Sequence, residues 1–247
     1  MSENYLVVIP ARYESKRLPG KPLIDLNGIP MIIRTAQQVE KAVGKDKTVI
    51  ATDDFKIKRI DEGWGYKVVM TSDRCLTGTD RVAEVSRKNN KIDFFINVQG
   101  DEPLIDPANI KKVVYKKMNN PEHVITAITK IYDKDDFFNP NIIKMVCSES
   151  NDLLFASRAP IPLSKDGKFV KSFKHLPIYA FSRKELNLFY NIGKKTKTQL
   201  ESIEDVEILR FLEIGVKVKT VKLYDESISV DVPNDIKKVL VKLNPEL

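Results

Sequence analysis

LVVIPARYESKRLPGKPLIDLNGIPMI, residues 6–32, decides how the rest of the chain is read. An apolar run, Leu6–Ile9, stops at Pro10 and gives way to a loop in which Arg12, Arg17 and Lys21 stand among Ser15, Pro19 and Gly20. A helical pattern begins near Pro30, a residue suited to the first helical turn because its missing N–H would have no partner there. Strand, basic loop and helix in that order open a doubly wound α/β sheet, whose ligands bind beyond the carboxyl ends of the strands. Three cations in a proline-stiffened loop suit a polyphosphate: arginine offers planar, forked contacts and lysine a point charge. Two familiar phosphate loops are excluded. Pro22 follows Lys21 where G-x-x-x-x-G-K-[ST] needs a hydroxyl, and no G-x-G-x-x-G follows the strand. A solvated loop whose charges only maintain solubility is the bland alternative, and the position directly after the first strand argues against it.

Outward from this stretch, apolar positions 32, 35/36, 39 and 42/43 predict a helix over Met31–Val43, with Gly44 as its stop. Thr48–Asp53 (TVIATD) reads as a short buried strand ending in two acids. A helix around Phe55–Glu62, a Gly-Trp-Gly turn and a strand at Tyr66–Met70 follow. TGTDRVAEVSRK offers Thr77 or Thr79 as the N-cap of another helix. Ile92–Pro103 (IDFFINVQGDEP) holds the most apolar strand and ends abruptly in Gly-Asp-Glu-Pro. Such alternation argues for parallel βαβ units with right-handed crossovers. Beyond about residue 120 it loosens. Strands are expected at Val124–Ile131, Ile142–Val146 and Leu153–Ala156 with little helix between them, then a proline-punctuated loop over Ser157–Lys168. Lys174–Ser182 reads as extended, with Pro177 at an edge or bulge. A helix is expected over about Ser202–Leu212, strands at Val216–Leu223 and Ile228–Val230, and a last helix after Pro233.

With 247 residues, 42% apolar and 30% charged, the chain has the composition of a globular protein able to bury a core. It shows no repeat, low-complexity tract or linker, so one domain is expected. The formal charge of +7 favours anionic partners. Much of the excess lies in scattered lysines and in Lys194–Lys197, with no basic stripe interleaved with aromatics, which argues against nucleic acid. Cys75 and Cys147 lie far apart and form no metal or redox spacing. The first strand begins by about residue 5 and no apolar run is long enough for a bilayer. The expectation is a reduced, cytoplasmic protein without stable membrane association.

Asp101 ends the most apolar strand, where an acid is unfavourable to desolvate unless a cation lies against it. Mg²⁺ suits such a place, since it takes one or two carboxylates plus substrate phosphates. Asp231 repeats the pattern in SISVDVP, and the pair can converge on metal facing the basic loop. The competing reading is that each acid caps the turn or helix after it. Thr77, Gly78 and Arg81 stand at a helix start, where free N–H groups meet anions and base edges. Gln99 can reach a substrate hydroxyl or base. Arg158, His175 and Tyr179 can form a pocket for an acidic sugar, with Arg158 on its carboxylate, although a lone histidine is more often structural. Glu201, Glu204 and Glu207, at three-residue spacing, read as a solvated acidic face.

PARYxSxRLPGKPL, ATDD, MTS…TGTDR, NVQGDEPLI, FNPNxIKMV, SRAPIP, KHLPIY, LExIExxExLR and VDxPxDI occur here in one order. In that order and over nearly the whole chain they resemble the sugar-acid cytidylyltransferases, most closely the 3-deoxy-manno-octulosonate (Kdo) cytidylyltransferases, or CMP-Kdo synthetases. The resemblance implies a nucleotidyltransferase fold, a Rossmann-like, mostly parallel α/β sheet with a smaller antiparallel insertion. It implies a single domain over residues 1–247, with a nucleotide-binding half of about 1–120 and a sugar-binding and dimerisation half of about 121–247. The family's reaction uses CTP and Mg²⁺: the anomeric hydroxyl of the sugar acid attacks the α-phosphorus and expels pyrophosphate. By the same resemblance Arg12, Arg17 and Lys21 clamp the triphosphate and Asp101 and Asp231 are metal ligands. Ala11, Thr71, Thr77 and Gly78 line the cytidine pocket; Gln99, Arg158, His175, Tyr179 and Glu207 hold the sugar acid. A homodimer is implied, as are the related acids 8-amino-Kdo and the nonulosonates as alternative substrates. Ile208 stands where the family usually has glutamine, Pro177 where it has glycine, and VDVPND replaces VDTPED. The first of these would remove a hydrogen-bonding side chain at or near the sugar pocket.

Overall fold

The computed structural model describes residues 4–15, 17–224 and 227–244. Through the first half, strands and helices alternate: β1 (Tyr5–Ala11), α1 (Met31–Val43), β2 (Thr48–Thr52), α2 (Phe55–Gly63), β3 (Lys67–Met70), α3 (Gly78–Lys88), β4 (Phe94–Val98) and α4 (Pro107–Met118). β5 (Val124–Ile131), α5 (Lys134–Phe138), β6 (Lys144–Cys147), β7 (Leu153–Ser157) and β8 (Ser172–Ser182) follow. The chain continues through α6 (Arg183–Gly193), α7 (Gln199–Glu204), α8 (Leu209–Glu213), β9 (Val218–Lys222) and α9 (Pro233–Leu243).

Among the described residues nine strands join one sheet, in the order β3-β2-β1-β4-β8-β5-β9, with β6 against β8 and β7 outside β6. β1 lies parallel to both β2 and β4, and β2 to β3. β8 runs antiparallel to β4, β5 and β6, while β9 is parallel to β5. The sheet is therefore mostly parallel with an antiparallel portion centred on β8, as expected.

Side chains of β1 alternate between two cores. Val7 and Ile9 pack with Ile32, Ala36 and Val39 of α1 and Ile110 and Val113 of α4. Val8 faces Val82 and Val85 of α3, Leu186 and Phe189 of α6, and Phe211 of α8. Each such fully buried aliphatic or aromatic side chain contributes about 1.5–3 kcal/mol by transfer from water. Helices cover both faces, which is why the central strands read as continuous apolar runs.

Three expectations need correction. The second half holds more helix than its sequence suggested: α5 separates β5 from β6 and α6 follows β8. α4 and α6 carried start signals, Asp106 before Pro107 and the Ser182/Glu185 capping box, and both caps form. The helix expected over Ser202–Leu212 is two short ones broken at Asp205 (φ 51°). Ile228–Val230 forms no strand. Pro177 does lie at a bulge, as expected, where pairing jumps from Thr126 opposite Tyr179 to Ala127 opposite Leu176 within the interior strand β8.

Candidate active site

The strand order turns between β1 and β4, which places a crevice beyond their carboxyl ends. A cleft of about 1220 Å³ opens there. Pro10, Ala11 and Arg12 leave β1 on one side, and Gln99, Gly100 and Asp101 leave β4 on the other. The basic loop folds back across its mouth. Gly20 adopts φ 66°, its N–H donates to the Tyr13 carbonyl at 3.2 Å, and Lys21 starts a short 3₁₀ turn that anchors the buried Pro22. The left-handed Gly20 suits a residue without a Cβ and aims Lys21 inward.

Lys21 Nζ donates to Asp101 Oδ2 at 2.6 Å and to Asp231 Oδ1 at 3.2 Å, while Arg17 Nη2 reaches Asp231 Oδ1 at 2.9 Å. Burial lowers the Lys21 pKa, and Asp101 and Asp231 more than reverse that, leaving it above the ordinary lysine value. Asp231 arrives by a single backbone link, in which Val230 N–H donates to the Asp101 carbonyl at 3.0 Å. The capping alternative for Asp231 is excluded by Asp235, whose Oδ2 accepts from the N–H groups of Asp231 and Val232 at the start of α9. For Asp101 the side chain likewise meets a cation, and Asp106 is the cap of α4.

Thr77 is the N-cap of α3, its Oγ1 accepting from Asp80 N–H at 3.1 Å. Together with Gly78 it lines the cleft. Arg81 also reaches the wall, but its guanidinium is tied to Thr71 Oγ1 and to Asp53 Oδ2, the latter at 2.7 Å. The arginine of TGTDR thus fastens α3 to the acid of ATDD. Cys75 lines the same wall as a neutral thiol, its pKa pushed up to about 12 by burial and by Glu84.

The opposite end is built by α7, α8 and the loop after β7. The solvated face expected for Glu201, Glu204 and Glu207 is wrong: each acid meets protein partners, and the break at Asp205 separates Glu207 from the helix that carries the other two. Glu201 is fully buried on Arg210. Glu204 accepts from Ser157 Oγ at 2.6 Å and Arg158 N–H at 2.8 Å. Glu207 accepts from Thr79 N–H at 3.0 Å and Gln99 Nε2 at 3.1 Å. Burial raises the Glu207 pKa against the opposing pull of Thr79. The Arg158 guanidinium donates to three carbonyls, those of Glu204 at 2.6 Å, Pro140 at 3.1 Å and Asp205 at 3.3 Å. Lys144, fully buried, grips the carbonyls of Asn139 and Ile142 and so shapes the turn that presents Asn141.

Of the residues singled out by sequence, Ala11, Arg12, Arg17, Lys21, Thr77, Gly78, Gln99, Asp101, Arg158, Glu207 and Asp231 line this one cleft. Thr71, His175 and Tyr179 lie behind it. Tyr179 is buried, with burial and then Glu207 raising its pKa well above the ordinary phenol value. The His175 ring lies 5.1 Å from that of Tyr179, tilted by 39°, and burial lowers its pKa to about 3, so its imidazole is neutral. Ile208 packs in the core with Phe211 and is absent from the lining, so its substitution acts through packing rather than by a contact across the cleft. Asn141, Lys197 and Asp205 line the cleft without having been anticipated. Lys197 belongs to the run Lys194–Lys197, noted above only for its share of the positive charge, and Asp205 falls inside the helix expected over Ser202–Leu212.

Comparison with known proteins establishes the family. A family profile described as cytidylyltransferase matches residues 6–221. A 3-deoxy-manno-octulosonate cytidylyltransferase of Myxococcus xanthus is 37% identical over 95% of this chain and 94% of its own. An 8-amino-3,8-dideoxy-manno-octulosonate cytidylyltransferase of Shewanella baltica is 39% identical over 95% and 96%. A CMP:2-keto-3-deoxy-manno-octonic acid synthetase solved in complex with CTP superposes with a TM-score of 0.89 at 33% identity, covering 98% of this chain and 99% of that one. An inositol-1-phosphate CTP transferase of T. maritima, at TM-score 0.68 and 14% identity, shares the fold. A profile across most of the chain and relatives above 30% identity over nearly their full length make this chain a member of the cytidylyltransferase family.

Proposed function

We propose that the chain transfers CMP from CTP to the anomeric hydroxyl of Kdo, giving CMP-Kdo and pyrophosphate for surface polysaccharide or lipopolysaccharide. The observation that carries this reading is the Lys21 ammonium bridging Asp101 and Asp231 beneath the cationic loop, at the mouth of the β1/β4 crevice. Phosphoryl-type transfer depends mainly on positioning and charge neutralisation around an in-line displacement. Arg12, Arg17 and Lys21 hold the triphosphate, with Ala11, Thr77 and Gly78 against the cytidine and Thr71 supporting that wall through Arg81. Gln99, Arg158 and Glu207 orient the sugar acid, backed by Tyr179 and His175. The attacking hydroxyl oxygen bonds to the α-phosphorus as the bond to the β-phosphate oxygen breaks.

Asp101 and Asp231 also fit Mg²⁺. They already share one positive group, the Lys21 ammonium, and two carboxylates with phosphate oxygens make up the donor set this ion takes. Among the described residues no group of three or more His, Cys, Asp or Glu side chains is placed to cage a metal, which suits an ion completed by the nucleotide. Bound there, Mg²⁺ would neutralise phosphate charge and orient the triphosphate.

Pyrophosphate release with CTP, Mg²⁺ and Kdo tests the reading, with 8-amino-Kdo in parallel because relatives of both specificities match equally well. Release that requires all three components supports Kdo; turnover of 8-amino-Kdo alone replaces it by the second acid; no CTP binding refutes both. The same reading carries a cytoplasmic homodimer. Among the described residues no helix is long and apolar enough to cross a membrane. The outer strand β7 leaves Leu154 59% exposed beside a free edge, a surface suited to a two-fold contact. Light scattering at twice the chain mass is the expected result.

A further inference from the structure

The sugar end of the cleft contains a protein carboxylate surrounded by cations. Asp205 separates α7 from α8 with a left-handed backbone (φ 51°, ψ 49°), which Asp tolerates better than most L-residues. Its Oδ1 accepts from Lys197 Nζ at 2.5 Å. Arg158 donates to the Asp205 carbonyl at 3.3 Å, and Lys197, Arg158, Arg12 and Asp205 all line the cleft. The hydrogen bond from Lys197, with the charges of Lys197, Arg158 and Arg12, holds the carboxyl below the usual aspartate range, so it is ionised. Lys197, from the connection between α6 and α7, thus pairs with this carboxylate directly, and Arg158 at the end of β7 and Arg12 in the loop after β1 add positive charge to the same cleft.

The neighbouring acids are committed elsewhere. Glu204 is fixed by Ser157 and Arg158, and Glu207 by Thr79 and Gln99. Asp205 differs from them. Its side chain is 69% exposed, and an exposed ion pair of this kind is weak, so the carboxylate can turn to solvent with little loss of hydration.

We propose that Lys197 is a substrate-binding residue for the sugar acid and that Asp205 holds the place of the substrate's carboxylate. The incoming carboxylate takes the Lys197 ammonium together with the Arg158 guanidinium, and Asp205 swings out. The exchange replaces one carboxylate by another on the Lys197 ammonium, while Arg158, which here donates to the carbonyls of Glu204, Pro140 and Asp205, adds its charge beside it. Asp205 then acts as an internal competitor that sets the apparent affinity for the acid without touching the nucleotide. The inference rests on the sugar-acid reading proposed above.

Steady-state kinetics with Kdo and CTP varied separately provide the test, in wild type, Lys197→Gln, Asp205→Asn and Asp205→Gly. Loss of a charge-assisted contact should raise the Kdo KM of Lys197→Gln about tenfold or more, with the CTP KM unchanged. Asp205→Asn should lower the Kdo KM several-fold. Asp205→Gly, which keeps the left-handed backbone accessible, should do the same and guards against a folding defect in the Asn variant. A raised Kdo KM in both Asp205 variants would make that carboxylate a direct sugar ligand and overturn the proposal. So would an unchanged Kdo KM in Lys197→Gln, or a CTP KM that rises with it. Wild-type protein that turns over neither Kdo nor 8-amino-Kdo with CTP would sink the sugar-acid reading and this inference with it, an outcome distinct from active enzyme with unresponsive variants.

Discussion

Lys21 touches two carboxylates that lie 130 residues apart in sequence, brought together where Val230 N–H meets the Asp101 carbonyl and Ser227 Oγ donates to Glu102. Asp101→Asn removes charge from the centre of that cluster, and turnover should fall by roughly 10²–10³ with the unfolding temperature little changed. Assay of pyrophosphate release beside a thermal melt checks both halves of the statement. A second residue matters for stability alone. Asp61 in α2 is fully buried, neither carboxylate oxygen has a hydrogen-bond partner among the described residues, and burial raises its pKa from 3.8 to about 7. Between those values the native state binds a proton that the unfolded chain has released. The unfolding free energy should therefore fall as pH rises from about 4 to about 7, by up to about 1.4 kcal/mol per pH unit, and level off above. Asp61→Asn should abolish that slope, as urea titrations across the range would show. Lys21 and Asp101 were legible because strand ends are marked by composition, an apolar run meeting a sudden charge. Asp61 was not, since one acid in a short polar helix looks the same whether it faces water or the core.

At the scale of elements, the decisive feature is the joint between α3 and the α7–α8 pair. Arg210, fully buried, donates to Glu201 Oε2 and Oε1 at 2.7 and 2.6 Å and to Asp80 Oδ1 at 2.7 Å, and its guanidinium lies 3.6 Å from the centre of the Phe189 ring. α6 ends against it at Gly193, where a Cβ would fall 1.9 Å from Arg210 Nη1. Arg210→Met would leave two buried carboxylates without their cation, which costs about 3–5 kcal/mol. Calorimetry should record a lower melting temperature, on the order of 10 °C for a chain of this size. Gly193→Ala should move it in the same direction through overlap alone. This joint explains the misreading of the acidic residues. Three-residue spacing places Glu201, Glu204 and Glu207 on one side of a continuous helix, whereas α7 packs Glu201 on Arg210 and the left-handed Asp205 sends Glu207 toward Thr79 and Gln99. The start signals of α4 and α6, by contrast, were present in the sequence as a capping Asp-Pro and a Ser-x-x-Glu box.

For the molecule as a whole, the net charge of +7 and a cleft lined by Arg12, Arg17, Lys21, Arg158 and Lys197 should steer an anionic nucleotide toward the site. Raising ionic strength from about 50 mM to about 0.5 M should lower kcat/KM for CTP several-fold with a smaller change in kcat, because screening weakens encounter more than contacts already made. Stopped-flow binding at the two salt concentrations would separate the terms. The sequence by itself determined the alternating α/β half, the end of the sheet where the cleft opens, the basic loop after β1 and the acid that follows β4. Those features are local: periodicity, an apolar run and its terminating residues are set by neighbours a few positions away. Only the tertiary structure decided that Asp231 joins Asp101, that Arg81 is tied to Asp53, that Glu207 meets Gln99, and that Lys197 and Asp205 close the far end. Each of these pairs spans a large sequence separation or depends on one backbone dihedral, so its geometry exists only once the sheet and both helical layers have packed.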